Sequence, residues 1–260
     1  MDEIFAEMVS TATIAIALFG VVFSLVQREY RRVNRSFAAF LLAVAVSNVP
    51  DAFHRVFMGL PGDGPQMIAL FIWSSSALCL APLFWIYVCT LTSKAQRQPH
   101  RLYRHFLLPA LAVLAWLLVA ISPQELGAPL VREDAVWPTA GWQVALLLVV
   151  AIVLIFVQLA VYPQMAIYLF LIVRRMMRYR LMLRDYYAST EEHELRWVYV
   201  IGGLGWLYWT AQSLLFLFAQ DPETRDTPFA FLGVAGFASL ALVGAITLWG
   251  LRQQPPLATT

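Results

Sequence analysis

Charge is scarce in this chain. Aspartate, glutamate, lysine and arginine together make up 13% of its 260 residues, against roughly a quarter in an ordinary soluble domain. Hydrophobic residues make up 60%. One soluble globule of this size cannot enclose that much apolar surface, so a bilayer has to solvate part of it. Lysine is nearly absent: Lys94 stands alone and the remaining basic residues are arginine. Cysteine is limited to Cys79 and Cys89, both inside one apolar stretch, where they read as small core residues rather than a disulfide. The N-terminal MDEIFAEM is acidic and has neither a basic n-region nor a small-residue cleavage site. No removable signal peptide is therefore expected.

Catalytic signatures are missing as well. There is no GxSxG, no Walker loop and no Rossmann glycine fingerprint. The four histidines, His54, His100, His105 and His193, lack metal-ligand spacing. No nucleophile–base pair stands out, so neither an enzyme, nor a metal, nor a cofactor is expected. The last apolar segment has no lysine, which excludes a retinal Schiff base of the rhodopsin kind. The basic loops lack nucleic-acid motifs and read as topology markers facing lipid headgroups, so direct nucleic-acid binding by these residues is not expected.

What is present is a series of apolar segments. Seven stand out, at about Ile4–Val26, Phe37–Met58, Met67–Leu91, Phe106–Ile121, Trp142–Val173, Val198–Ala219 and Pro228–Leu251. Each is long enough to cross a bilayer, the fourth only just. Fifteen of the 18 lysines and arginines fall in alternate loops or at Arg252; only Arg55, Arg132 and Arg225 fall on the other side. The positive-inside rule then predicts an all-α polytopic bundle of seven transmembrane helices, N-terminus outside and C-terminus cytoplasmic.

The third cytoplasmic connection is more than a loop. Residues 174–187 contain no glycine or proline, so the fifth helix is expected to run past the membrane. Ser189 with Glu192 three residues on forms a capping box for a second helix that reaches the membrane at Trp197. A helical hairpin at about 174–197 follows, with a solvated basic connector as the alternative. Prolines 50, 82 and 163 lie within spans two, three and five, where each removes a backbone hydrogen bond and kinks its helix. Small residues in spans six and seven (Gly202, Gly203, Gly205, Gly233, Gly236, Ala241 and Gly244) permit close helix approach, within the chain or in a homodimer.

A charge within a span is a site hypothesis by default. Span two carries Asp51, His54 and Arg55, three and four residues apart and so on one face of a continuous helix. They form either a ligand or proton site or a self-neutralised Asp51–Arg55 pair. Trp73 and Ser75 of span three, Gln158 and Tyr162 of span five, and Trp209 and Gln212 of span six could face the same cavity. Aromatic walls with a few polar groups make up many small-molecule pockets, and interhelical packing as well.

Three stretches carry a resemblance. PLFWIYVCTLTS at Pro82–Ser93 is followed by basic residues and HFLLPAL at His105–Leu111. RRMMRYRLMLRDYYASTEEHELRW fills Arg174–Trp197, and WGLRQQP fills Trp249–Pro255. From about Pro82 onward, these resemble the seven-helix membrane sensor region of AraC/XylS-type transcription regulators and of related membrane histidine kinases. The resemblance implies that residues 1–252 form a sensor domain in the bacterial cytoplasmic (inner) membrane, for an unknown small-molecule ligand or membrane state. It implies that residues 253–260 are a cytoplasmic tail or linker to an output module, fused or separate, which this sequence does not contain. It makes the hairpin the transmitting element, through Arg178, Arg184, Asp185, Tyr186, Ser189, Glu192 and Trp197. The alternative is a small-solute transporter of seven-span type. The Pro163-Gln164 pair resembles that of PQ-loop and sugar-exporter families, which repeat the motif in span one; here span one has no proline.

Overall fold

The computed structural model describes residues 2–27, 29–93, 101–121, 141–186, 202–206, 210 and 229–252. All regular elements among them are helical: α1 (Asp2–Val26), α2 (Arg31–Ser47), α3 (Val49–Ala52), α4 (His54–Gly59), α5 (Gly64–Leu91), a 3-10 turn (Leu102–Phe106), α6 (Leu107–Ile121), α7 (Gly141–Tyr186) and α8 (Phe229–Arg252). Residues 202–206 are helical too. Four helices are long and apolar enough to cross a membrane: Ile4–Val26, Gly64–Leu91, Leu102–Ile121 and Gly141–Met182. These correspond to expected spans one, three, four and five. The seventh is helix α8; most of the sixth lies outside the described residues.

The second expected span, Phe37–Met58, is not one helix. It is broken at Asn48 and again at Phe53, giving α2, α3 and α4 in succession. The first break has a local cause. Pro50 has no N–H to give, and the backbone N–H of Asn48 donates to Ala45 O at 3.2 Å, three residues back. The Val44 carbonyl is taken instead by side chains, the Asn48 amide at 2.8 Å and the Ser47 hydroxyl at 2.9 Å.

Helix α5 is the hub. It packs against α2, α6 and α7, while α1 packs against α2, α3 and α8. Near its C-terminus α5 is enclosed, and Tyr87, Val88 and Leu91 are fully buried. They meet Phe37 and Leu41 of α2, Met176 and Tyr179 of α7 and Ile246 of α8 in the main core. The Phe37 and Tyr87 rings lie 4.7 Å apart. Two close approaches rely on glycine. A Cβ on Gly20 would meet Leu41 and Thr247 side-chain atoms at 2.5 and 2.8 Å, and one on Gly250 would strike the Phe37 ring. The outward faces keep large apolar side chains exposed, Phe19 and Val22 on α1 and Ile152 and Phe170 on α7 among them. Such a surface suits lipid chains rather than water.

The proline in α5 has a counterpart on α7. Pro82 leaves the carbonyl four residues back, Leu78 O, without its helical donor. The buried Gln164 amide on α7 supplies one at 3.1 Å. A kink in a membrane helix needs such a partner. Gln164 follows Pro163, the interior proline of α7. At the other end of α5, Thr92 ends the helix. Its hydroxyl donates to Val88 O at 2.7 Å and accepts from Arg175 Nε–H at 2.9 Å. A guanidinium at a helix C-terminus also meets the negative end of the helix dipole.

Candidate functional site

A cavity of about 250 Å³ lies inside the bundle. The broken second segment gives one side of it, with Ser47, Asn48 and Asp51. Trp73 and Phe84 of α5, Tyr168 and Ile172 of α7, Leu242 of α8, and Gly205 from the helical stretch 202–206 complete much of the wall. Its make-up is a largely apolar body with a few polar groups, as in many small-molecule sites.

The breaks at Asn48 and Phe53 decide which polar groups reach it. Phe53, at φ −116° and ψ 26°, separates Asp51 from His54 and Arg55. The one-face argument assumed a continuous helix; His54 stays within electrostatic reach of Asp51, whereas Arg55 turns elsewhere. Arg55 pairs with Glu7 of α1 rather than with Asp51. Its Nε–H donates to Glu7 Oε2 at 2.7 Å, its backbone N–H donates to Oε1 at 3.0 Å, and Nη2 also meets Oε2. The carboxylate therefore satisfies a free N–H in the first turn of α4, whose preceding residue Phe53 offers no side-chain cap. The Glu7 side chain is 10% exposed and that of Arg55 59%.

Asp51 lines the cavity, is exposed, and makes no hydrogen bond or ion pair among the described residues, with His54 within electrostatic reach of it. Trp73 lines it too. Ser75 does not; its hydroxyl is buried without a partner among the described residues, while Ser74 beside it accepts a hydrogen bond from Trp116 Nε1 of α6 at 2.9 Å. Gln158 and Tyr162 are half-buried on α7 outside the lining of this cavity. Trp209 and Gln212 lie outside the described residues. In the expected hairpin, α7 runs unbroken to Tyr186 and Arg178 is exposed on it. The backbone of Arg184, Asp185 and Tyr186 is helical, and Ser189, Glu192 and Trp197 lie outside the described residues.

A second, open groove of about 430 Å³ lies between the start of α6 and α7, lined by Arg104, His105, Phe156, Pro163 and Tyr168 among others. Tyr168 borders both spaces, and its hydroxyl lies 2.6 Å from His105 Nδ1. The sequence gives no cue for several of these groups: Glu7, Trp116, Tyr168 and Arg175. Each makes its bond to a residue far away in sequence, so no spacing rule reports it. Gln164 had a signal, since it sits beside one in-helix proline and a second proline needed a donor. Among the described residues no group of three or more His, Cys, Asp or Glu is placed to hold a metal. Compared with protein-family models, with curated proteins and with solved structures, the chain matches none.

Proposed function

We propose that this chain is a membrane sensor domain with seven spans, its N-terminus outside and its basic loops and C-terminus in the cytoplasm. A small ligand in the central cavity biases the packing of the interrupted and kinked helices, and the extended fifth helix passes that bias to a cytoplasmic output module. The resemblance to AraC/XylS-type regulators makes that module a DNA-binding or kinase unit, the membrane a bacterial inner membrane and the assembly a homodimer.

One observation carries the reading. Helix α7 walls the cavity through Met165, Tyr168, Leu169 and Ile172, then continues without a break to Tyr186. Its 46 residues correspond to about 70 Å of helix at 1.5 Å per residue, more than twice the roughly 30 Å of a hydrocarbon core. A shift at the cavity therefore reaches the basic extension within one rigid element.

The test places a fluorophore at Arg178→Cys in a chain whose Cys79 and Cys89 are alanine. Compounds are first selected by thermal stabilisation of the detergent-solubilised protein. A compound that stabilises the protein should change the emission at 178, and Ala77→Phe, which fills the cavity, should abolish both effects. Stabilisation with unchanged emission for every such compound would sink the transmission reading.

A further inference from the structure

The cavity's polar side has one sign of charge. Asp51 contributes a carboxylate, and among the described residues no arginine, lysine or histidine lines the space. The nearest arginine in sequence, Arg55, is bound to Glu7 through both carboxylate oxygens. Glu7 thus takes Arg55 away from Asp51; His54 lies within electrostatic reach, but the Asp51 carboxylate makes no ion pair or hydrogen bond among the described residues. A carboxylate beside apolar walls gains from an arriving counter-charge, because those walls solvate it poorly. Within a span such a group marks a functional contact.

Resting on the reading of the cavity as the ligand site, we propose that its ligand is a cationic amphiphile: a protonated amine seated at Asp51 with an apolar, ring-sized body against Trp73, Phe84 and Tyr168. Ser47 and Asn48 lie on the same interrupted segment, where their oxygens can accept further ammonium protons. Aromatic surface attracts a cation in addition. The size limits the body. An apolar cavity of about 150 Å³ takes up benzene, so about 250 Å³ accommodates a ring with a short chain rather than a drug-sized molecule. Anions are disfavoured by the same carboxylate, and neutral analogues lose the ion pair.

The experiment uses the full chain in detergent and three probes of one shape and different charge: 2-phenylethylamine, 2-phenylethanol and phenylacetate. Dissociation constants are measured by titration calorimetry. The amine should bind at least about tenfold more tightly than the alcohol, a difference of about 1.4 kcal/mol, and the acid should bind more weakly than either. Asp51→Asn should bring the amine to the alcohol's affinity and leave the alcohol unchanged. Asn48→Asp, adding a second carboxylate, should raise the amine's preference, which guards against a folding defect in the first variant. Equal binding of amine and alcohol by the wild type, or an amine preference that survives Asp51→Asn, overturns the proposal. Ala77→Phe separates the two levels of failure. If it removes binding of amine and alcohol alike while Asp51→Asn leaves the preference intact, only the charge inference falls. If it leaves every affinity unchanged, or if no probe binds the wild type, the cavity is not the site and both readings fall.

Discussion

Replacing Gly250 by alanine puts a methyl group where the Phe37 ring already lies. The added Cβ would sit 2.8 Å from both Cε atoms of that ring, with Cζ nearer still. Carbon atoms prefer about 3.5–4.0 Å, so the ring tip has to withdraw by more than about 1 Å. It has nowhere to go. Phe37 is 2% exposed, its ring rests on Tyr87 at 4.7 Å, and Tyr87 is itself 1% exposed. The strain therefore passes to the backbone and pushes α8 from α2, at the roughly 1–3 kcal/mol typical of overpacking. Alanine also gains about 0.8–1.0 kcal/mol over glycine in a helix, so a control is needed. Gly244 lies in the same helix with no atom of the described residues within 4 Å of an added Cβ. Gly244→Ala takes the propensity gain alone. The difference between the two variants, read from reversible SDS unfolding in mixed micelles, should be about 1–3 kcal/mol. Adding Phe37→Leu to Gly250→Ala should recover at least about 0.5 kcal/mol relative to the sum of the singles. Equal stability of the two glycine variants would refute the packing of α8 on α2.

Three further predictions use the same preparation. Gln164→Leu leaves Leu78 O unpartnered and should cost about 1–3 kcal/mol; Pro82→Ala, which restores the helical donor, should remove most of that cost, and an unchanged cost in the double variant would refute the pairing. Glu7→Gln and Arg55→Gln should each destabilise the protein, and the double variant should be no worse than the poorer single; additive losses would mean that the two side chains act independently. Arg175→Leu uncaps Thr92 and should speed amide exchange at Thr92 and Ser93 while amides near Leu78 keep wild-type protection; unchanged exchange at Thr92 would rule out the cap.

Much of the helical pattern was legible because it is local. The apolar segments, the three in-helix prolines and the glycine-free run after Val173 are properties of consecutive residues, and helices α1, α5, α6 and α7 follow them. Phe53 shows where that stops. No proline or glycine marks it, yet the second break falls there, and Arg55 beyond it does not pair with Asp51. Arg55 had an acidic neighbour four residues away and took one 48 residues away instead, because Glu7 also meets the free backbone N–H of the first turn of α4. Glycine shows the same limit. Of the glycines in the last segment, Gly236 approaches Val9 and Gly244 meets no described atom, while the tightest contacts fall at the isolated Gly20 and at Gly250.

The length of α7 has a mechanical consequence. Pro163 stands near its midpoint, beside the residues that wall the cavity, and Tyr186 lies 23 residues further along. At 1.5 Å per residue that arm is about 35 Å long, so a pivot of about 5° at the proline swings its tip by about 3 Å. The helix amplifies an angle as a long lever does: a side-chain-sized adjustment beside Pro163 becomes a shift at Tyr186 large enough to move one packed helix past another.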